Sequence, residues 1–196
     1  MTISSGKGRI EISLSGAGGQ GMILAGKILA EAVAIFENKQ AVMTQSYGPE
    51  ARGGAARAEV IISDTAIHYP KVMNLNILLV LTQEALDKYG KMLQPGGLLI
   101  ADETLVTKFP ENIQHIYKAP FTLLAKDTFD VSIVSNIIAL GALSSITKVV
   151  SRDALIRAVL ARVPEKVLVL NRVALDRGYK AAIDSGFCWD SERLGT

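Results

Sequence analysis

Short runs rich in Ile, Leu and Val alternate along the chain with stretches of helical period. The first apolar run, Arg9 to Ser15, reads as a strand and leads into a glycine cluster. From about Gly21 to Glu37, Met22, Ala25, Leu29, Ala32, Val33 and Phe36 share one side, and Lys27 and Glu31 fall on another. That spacing predicts an amphipathic helix. Gln40 to Gln45 predicts a second strand, and Ala56 to Ser63 a third, with Ala58, Val60 and Ile62 on one side. Between them Ser46 to Gly54 breaks every period and is expected to be a loop. Leu75 to Thr82 is almost wholly apolar, the pattern of a central strand buried on both faces.

A helix is expected over Gln83 to Leu93, stopped by Pro95-Gly96-Gly97, then a short strand over Leu98 to Ala101 and an edge strand over Gln114 to Ala119. Ser132 is positioned to cap a helix running through Ser145, and Ser151 the next, with Asp153 in its first turn where a negative charge suits the helix dipole. Pro164 is placed to open a last helix ending near Ile183. Strand–helix alternation of this kind implies a Rossmann-like α/β fold. Its sheet is mainly parallel, with helices on both faces and a helical C-terminal third. With no repeat or linker in view, residues 1–196 are expected to form a single domain, with a core from about 10 to 183 and a tail over 184–196.

Composition narrows the chemistry. The 196 residues are 49% hydrophobic and 20% charged, enough to bury a core without metal or disulfide staples. Lys and Arg total 21 against 19 Asp and Glu, a balance that calls for neither nucleic acid nor an anionic membrane. Cys188 is the single cysteine, which excludes an intrachain disulfide and a four-thiolate iron–sulfur cluster held by this chain alone. Two histidines, His68 and His115, are too few for a zinc site, so no metal ligands are assigned. The cysteine usage suits a reducing compartment. Met1 to Ile12 has no signal-peptide pattern, and the longest aliphatic run, Ile77 to Leu81, is too short to span a bilayer. A cytoplasmic protein is expected.

Two segments carry candidate chemistry. Gly16-Ala17-Gly18-Gly19-Gln20-Gly21 fits the G-x-G-x-x-G pattern between a strand and a helix. There the glycines allow a tight bend and close approach of backbone to a phosphate, and the helix N-terminus offers free N–H groups. Gly16, Gly18, Gly19, Gln20 and Gly21 are therefore candidate ligand-binding residues. An ordinary tight strand–helix turn would use the same glycines. A dinucleotide site also wants an acid near the end of the second strand, and Val42 to Ser46 has none. The second segment, SYGPEARGG, bunches Tyr47, Gly48, Glu50 and Arg52. Arg52 could hold a phosphate or carboxylate bidentately, or simply pair with Glu50 at the surface. His68, His115, Lys71, Lys166 and Asp102 form no catalytic constellation, and no catalytic residue is assigned. A free-standing NAD(P)-dependent oxidoreductase and a regulatory nucleotide-binding module both remain open on these residues.

Gly16 to Ala32, GAGGQGMILAGKILAEA, followed by Thr44 to Ser63, TQSYGPEARGGAARAEVIIS, resembles the gamma subunit of 2-oxoacid:ferredoxin oxidoreductases. Tyr69-Pro70-Lys71-Val72, the LTQEA of Leu81 to Ala85, and NIIALGAL from Asn136 to Leu143 extend the likeness over nearly the whole chain. The SYGPEARGG form is most like the 2-oxoglutarate branch, with the pyruvate and indolepyruvate branches similar. The resemblance implies oxidative decarboxylation of a 2-oxoacid to an acyl-coenzyme A, with electrons passed to ferredoxin. It also implies that thiamine diphosphate and the iron–sulfur clusters sit on alpha, beta and delta-type partner subunits. This chain, inactive by itself, would help to bind coenzyme A through its two loops and to assemble the complex. Expressed alone, it would self-associate through its docking face.

Overall fold

The computed structural model describes residues 8–46, 55–129 and 133–189. Six strands, β1 (Arg9–Ala17), β2 (Gln40–Ser46), β3 (Ala55–Ser63), β4 (Leu75–Val80), β5 (Leu93–Asp102) and β6 (His115–Ala119), form one sheet in the order β2-β3-β1-β4-β5-β6. β1, β4, β5 and β6 pair in parallel, and β3 alone runs against both of its neighbours. The mainly parallel α/β sheet expected from the alternation is present, with β6 at its edge. Strand order reverses beside β1: the chain leaves it through a helix toward β2 on one side and later returns to β4 on the other.

Helices cover both faces unequally. α1 (Met22–Glu31), α3 (Phe121–Phe129), α4 (Ser135–Thr147), α5 (Arg152–Arg162) and α6 (Leu168–Asp184) belong to one core with Ile12, Leu14, Val60, Ile77, Leu79 and Ile100. The opposite face carries α2 (Gln83–Tyr89), which buries Ala85, Leu86 and Tyr89 against Leu78, Val80, Leu99 and Ala101. β4 contributes to both cores through alternate residues, as its unbroken apolar run requires.

α4 is the hub of the larger layer, and every one of its residues is buried. It meets α6 at two glycines. A Cβ on Gly141 would strike the carbonyl oxygen of Leu175, and a Cβ on Gly178 that of Ile138. The two backbones therefore touch where any side chain would hold them apart. Elsewhere α5 is latched to the α1 side by the Arg162–Glu31 ion pair and by Glu37, whose Oε1 accepts from Ser151 N at 2.5 Å.

Several boundaries depart from the sequence expectation. The first helix is α-helical only to Glu31 and continues as a π-helical segment from Ala32 to Phe36. The second is α-helical to Tyr89 and ends in a 3-10 turn over Gly90 to Met92. β5 starts at Leu93, not Leu98: Pro95, Gly96 and Gly97 lie inside it. A positive φ of 78° at Gly96 accompanies the register shift between Leu75 and Ile77 on the partner strand. α3 has no counterpart in the sequence reading. α4 starts at Ser135 after Val134, which gives no side-chain cap, and Ser132 lies outside the described residues. Ser151 and Asp153 do cap and charge α5 as expected. Pro164 opens a 3-10 turn, and α6 begins at Leu168. The start of the expected tail is packed: Trp189 is buried and donates from Nε1 to Gly96 O at 3.3 Å, and Phe187 lies 5.5 Å from the Tyr117 ring.

Candidate functional site

The site is built where β1 ends. Gly16 is the penultimate residue of β1, in a slot with no room for a side chain. A Cβ there would meet the Gln20 carboxamide, Met22 Cγ at 3.2 Å and Leu81 Cβ at 3.3 Å. Ser15 holds the strand end by donating to Ala56 O at 3.0 Å and accepting from Leu81 N at 3.0 Å. β1 is thus fastened on both sides at its C-terminal end. Crevices at the C-terminal ends of parallel strands, where strand order reverses, are where open α/β sheets bind ligands.

The turn that follows closes on itself. Gln20 N donates to Ala17 O at 3.1 Å, and Ala17 N donates to the Gln20 side-chain oxygen at 2.7 Å. The structure thus makes Gln20 a brace of the turn. Gly18 and Gly19 are exposed at its tip. Gly19 has φ 91° and open space where a Cβ would stand, so its backbone conformation is what requires glycine. Gly21, at φ 73°, is the residue before α1 and supplies no side-chain cap.

A residue not singled out as a ligand group completes this arrangement. Asn136, the second residue of α4 and 3% exposed, donates from Nδ2 to Gly21 O at 3.0 Å and accepts from Ile137 N at 2.8 Å. A Cβ on Gly21 would run into the Asn136 amide. One side chain therefore joins the N-terminal ends of α1 and α4. Neither helix has a side-chain cap or an acidic residue in its first turn. α3 and α6 likewise start without an acidic residue, whereas α2 has Thr82 and Glu84 and α5 has Ser151 and Asp153. Two uncompensated positive helix ends side by side favour an anion. The sequence signal available for Asn136 was its place at the head of the NIIALGAL motif.

Tyr47, Gly48, Glu50 and Arg52 lie outside the described residues. Their flanks are informative: Ala55 pairs with Ala17, and Ser46 with Arg57, at the same end of the sheet as the glycine turn. Arg57, paired also with Ser15, is a cation the sequence reading did not single out. It is bound to Glu59 at 3.2 Å and stacks over the Tyr89 ring at 4.7 Å.

The other candidates are apart from this site. Asp102, fully buried, accepts from Thr122 N and Thr104 N at 3.1 Å each and from the Thr122 hydroxyl. It caps α3. His68 and Lys71 are exposed between β3 and β4, His115 is in β6, and Lys166 is exposed before α6. Among the described residues no three His, Cys, Asp or Glu side chains form a metal-sized group. Burial raises the Tyr117 phenol, and also that of Tyr179, where the Ser144 bond and Arg152 act in the opposite sense. Both are in helical or edge packing, away from the glycine turn. Among the described residues no helix is long and apolar enough to cross a membrane.

Residues 11–181 match the family model described as pyruvate ferredoxin/flavodoxin oxidoreductase. The chain is 49% identical over 178 residues to the 2-oxoglutarate synthase subunit KorC of Methanocaldococcus jannaschii, covering 90% of this chain and 95% of that one. It is also 49% identical to a crystallised keto/oxoacid ferredoxin oxidoreductase gamma subunit from Geobacter sulfurreducens, with a TM-score of 0.83 over 90% of this chain and 98% of that one. A 2-oxoglutarate:ferredoxin oxidoreductase from Magnetococcus marinus, solved with 2-oxoglutarate, coenzyme A and succinyl-CoA bound, shares the fold. Its TM-score is 0.79 at 22% identity, covering 94% of this chain and 32% of that one.

Proposed function

The chain belongs to the pyruvate ferredoxin/flavodoxin oxidoreductase family, as the gamma subunit of a 2-oxoacid:ferredoxin oxidoreductase, and from that premise we propose that it binds coenzyme A in a 2-oxoglutarate-oxidising complex and helps to assemble it. The observation that carries the coenzyme A reading is the bare turn of Gly16 to Gly21 against two helix N-termini without acidic first turns. The pyrophosphate would lie at these N–H groups, with Gly19 giving the backbone close access. Arg52 would meet the 3′-phosphate. The 2-oxoglutarate assignment draws on the KorC likeness. The fold match to the coenzyme A-bound Magnetococcus marinus enzyme is consistent with the ligand.

In this reading the other subunits, of alpha, beta and delta type, hold thiamine diphosphate and the iron–sulfur clusters. Thiamine diphosphate supplies the decarboxylation chemistry there. The clusters, on those subunits, would supply the redox chemistry that passes electrons to ferredoxin. With Cys188 as its single cysteine, this chain has no four-thiolate cluster set of its own. Its task is to hold and orient coenzyme A, and its compartment is the cytoplasm.

Calorimetry on the assembled complex tests the proposal. Coenzyme A should bind more tightly than NAD, since β2 ends without the acid that NAD ribose sites use. Arg52→Ala should weaken coenzyme A by about tenfold or more, a charge-assisted bond being worth roughly 1.5–3 kcal/mol, and leave dephospho-coenzyme A nearly unchanged. Tighter NAD binding would remove the coenzyme A assignment. The purified chain alone should not reduce viologen with a 2-oxoacid and coenzyme A; turnover without partners would overturn the subunit reading.

A further inference from the structure

At the end of the sheet opposite the glycine turn, residues 64–74 connect β3 to β4 without helix or strand. A connection of this kind is usually left to water. Here two side chains from the start of β1 hold its backbone. Arg9 donates from Nη1 to Tyr69 O at 3.0 Å and from Nη2 to Lys71 O at 2.8 Å. Glu11 accepts from Met73 N at 2.5 Å and Asn74 N at 2.6 Å, and the two side chains pair with each other at 2.7 Å. Glu11 is 3% exposed, a carboxylate taken almost wholly out of water to fix a surface loop. Burying a charge is unfavourable unless several donors satisfy it, and this one has three.

What the latch holds in place is apolar and exposed. Met73 is 67% exposed and Tyr69 50%, with Pro70 between Tyr69 and Lys71. Tyr and Met are enriched at the centres of protein interfaces, and a pre-fixed backbone removes much of the ordering entropy that docking would otherwise cost. Arg9 is neutralised by Glu11, whereas Lys71 has no ion-pair partner among the described residues. The patch therefore presents an aromatic ring and a thioether beside one uncompensated cation.

We infer that the Arg9–Glu11 latch presents the Tyr69–Met73 loop as a docking surface for a neighbouring subunit of the oxidoreductase, which meets it with an apolar pocket bearing a carboxylate at its rim. The surface lies at the far end of the sheet from the ligand site, so docking leaves the glycine turn open. The inference rests on the reading of this chain as an assembling subunit and names where the assembly contact lies.

The test is to titrate the full chain into the subcomplex of the remaining subunits and measure the dissociation constant. Tyr69→Ala with Met73→Ala should weaken association at least tenfold with unchanged thermal unfolding, because both side chains are exposed. Lys71→Glu should weaken it at low salt, and the deficit should shrink as salt is raised. Ile183→Ser, at an equally exposed apolar position on α6, should change nothing. Wild-type affinity in the Tyr69/Met73 double variant would overturn the inference. So would a free-chain dimer, seen by sedimentation, that the double variant dissociates while subunit affinity is kept, since the occupant would then be a second copy. Coenzyme A titration of complexes assembled at high concentration separates the two readings. A defect of the loop alone leaves that affinity intact, and failure of coenzyme A to bind the wild-type complex counts against the ligand reading only.

Discussion

Asn136 and Gly21, separated by 115 positions, are joined by a hydrogen bond of 3.0 Å from the carboxamide of one to the carbonyl of the other. The bond ties the head of α4 to the turn before α1. Asn136→Ala should cost about 1–3 kcal/mol, the range for a buried bond whose partner loses its donor. Asn136→Asp should weaken coenzyme A more than Asn136→Ala does, because a carboxylate then stands between the two helix ends that would face the ligand. Thermal unfolding and calorimetry on the assembled complex check the two statements separately.

Gly178→Ala sets two effects against each other. Alanine gains about 1 kcal/mol over glycine in a helix interior. At this position the new methyl meets the backbone carbonyl of Ile138, which cannot turn aside as a side chain would. Overpacking of this kind costs roughly 1–3 kcal/mol or more. A net loss of stability is expected on chemical denaturation, and a similar loss for Gly141→Ala against Leu175 O.

Asp102→Asn should loosen α3. The carboxylate accepts from Thr122 N, from its hydroxyl and from Thr104 N, and an amide cannot accept from all three on the same atoms. A loss of about 1–3 kcal/mol is expected. Hydrogen exchange should show it first in the amides of Phe121–Phe129.

Alkaline stability should follow the buried phenols. Burial raises Tyr117 and Tyr179 above the ordinary value of 10.0, so between the unfolded and folded values the native state holds more protons. Their contribution is complete below pH 10 and is lost as the pH rises from there through the folded values. Denaturation midpoints should fall more steeply above pH 10 in the wild type than in a variant carrying Tyr117→Phe and Tyr179→Phe.

The turn from β1 into α1 could be read in the sequence because its causes are local. An alternating strand, closely spaced glycines and a helical period lie next to one another in the chain. α5 was legible for the same reason, since Ser151 caps its own helix. α3 was not, because the carboxylate that caps it stands 20 positions upstream, at Asp102. Pro95-Gly96-Gly97 signals a break, but only the pairing with β4 shows that the strand bends through it. Asn136 reads as one of several polar residues in a largely apolar helix until the fold brings it to Gly21.

The complete burial of α4 bears on the order in which the parts of the protein pack. When the ribosome has released β1, the glycine turn and α1, the side chain that steadies Gly21 has not yet been synthesised. Asn136 arrives with α4, a helix too apolar to rest in water until α6 covers it. The glycine turn, 115 positions before Asn136, therefore gains this bond only once α4 has packed. A fragment ending before α4 would carry the whole glycine motif and its Gln20 brace but lack the Asn136 bond to Gly21. Grafting that motif elsewhere would transfer the letters without the site.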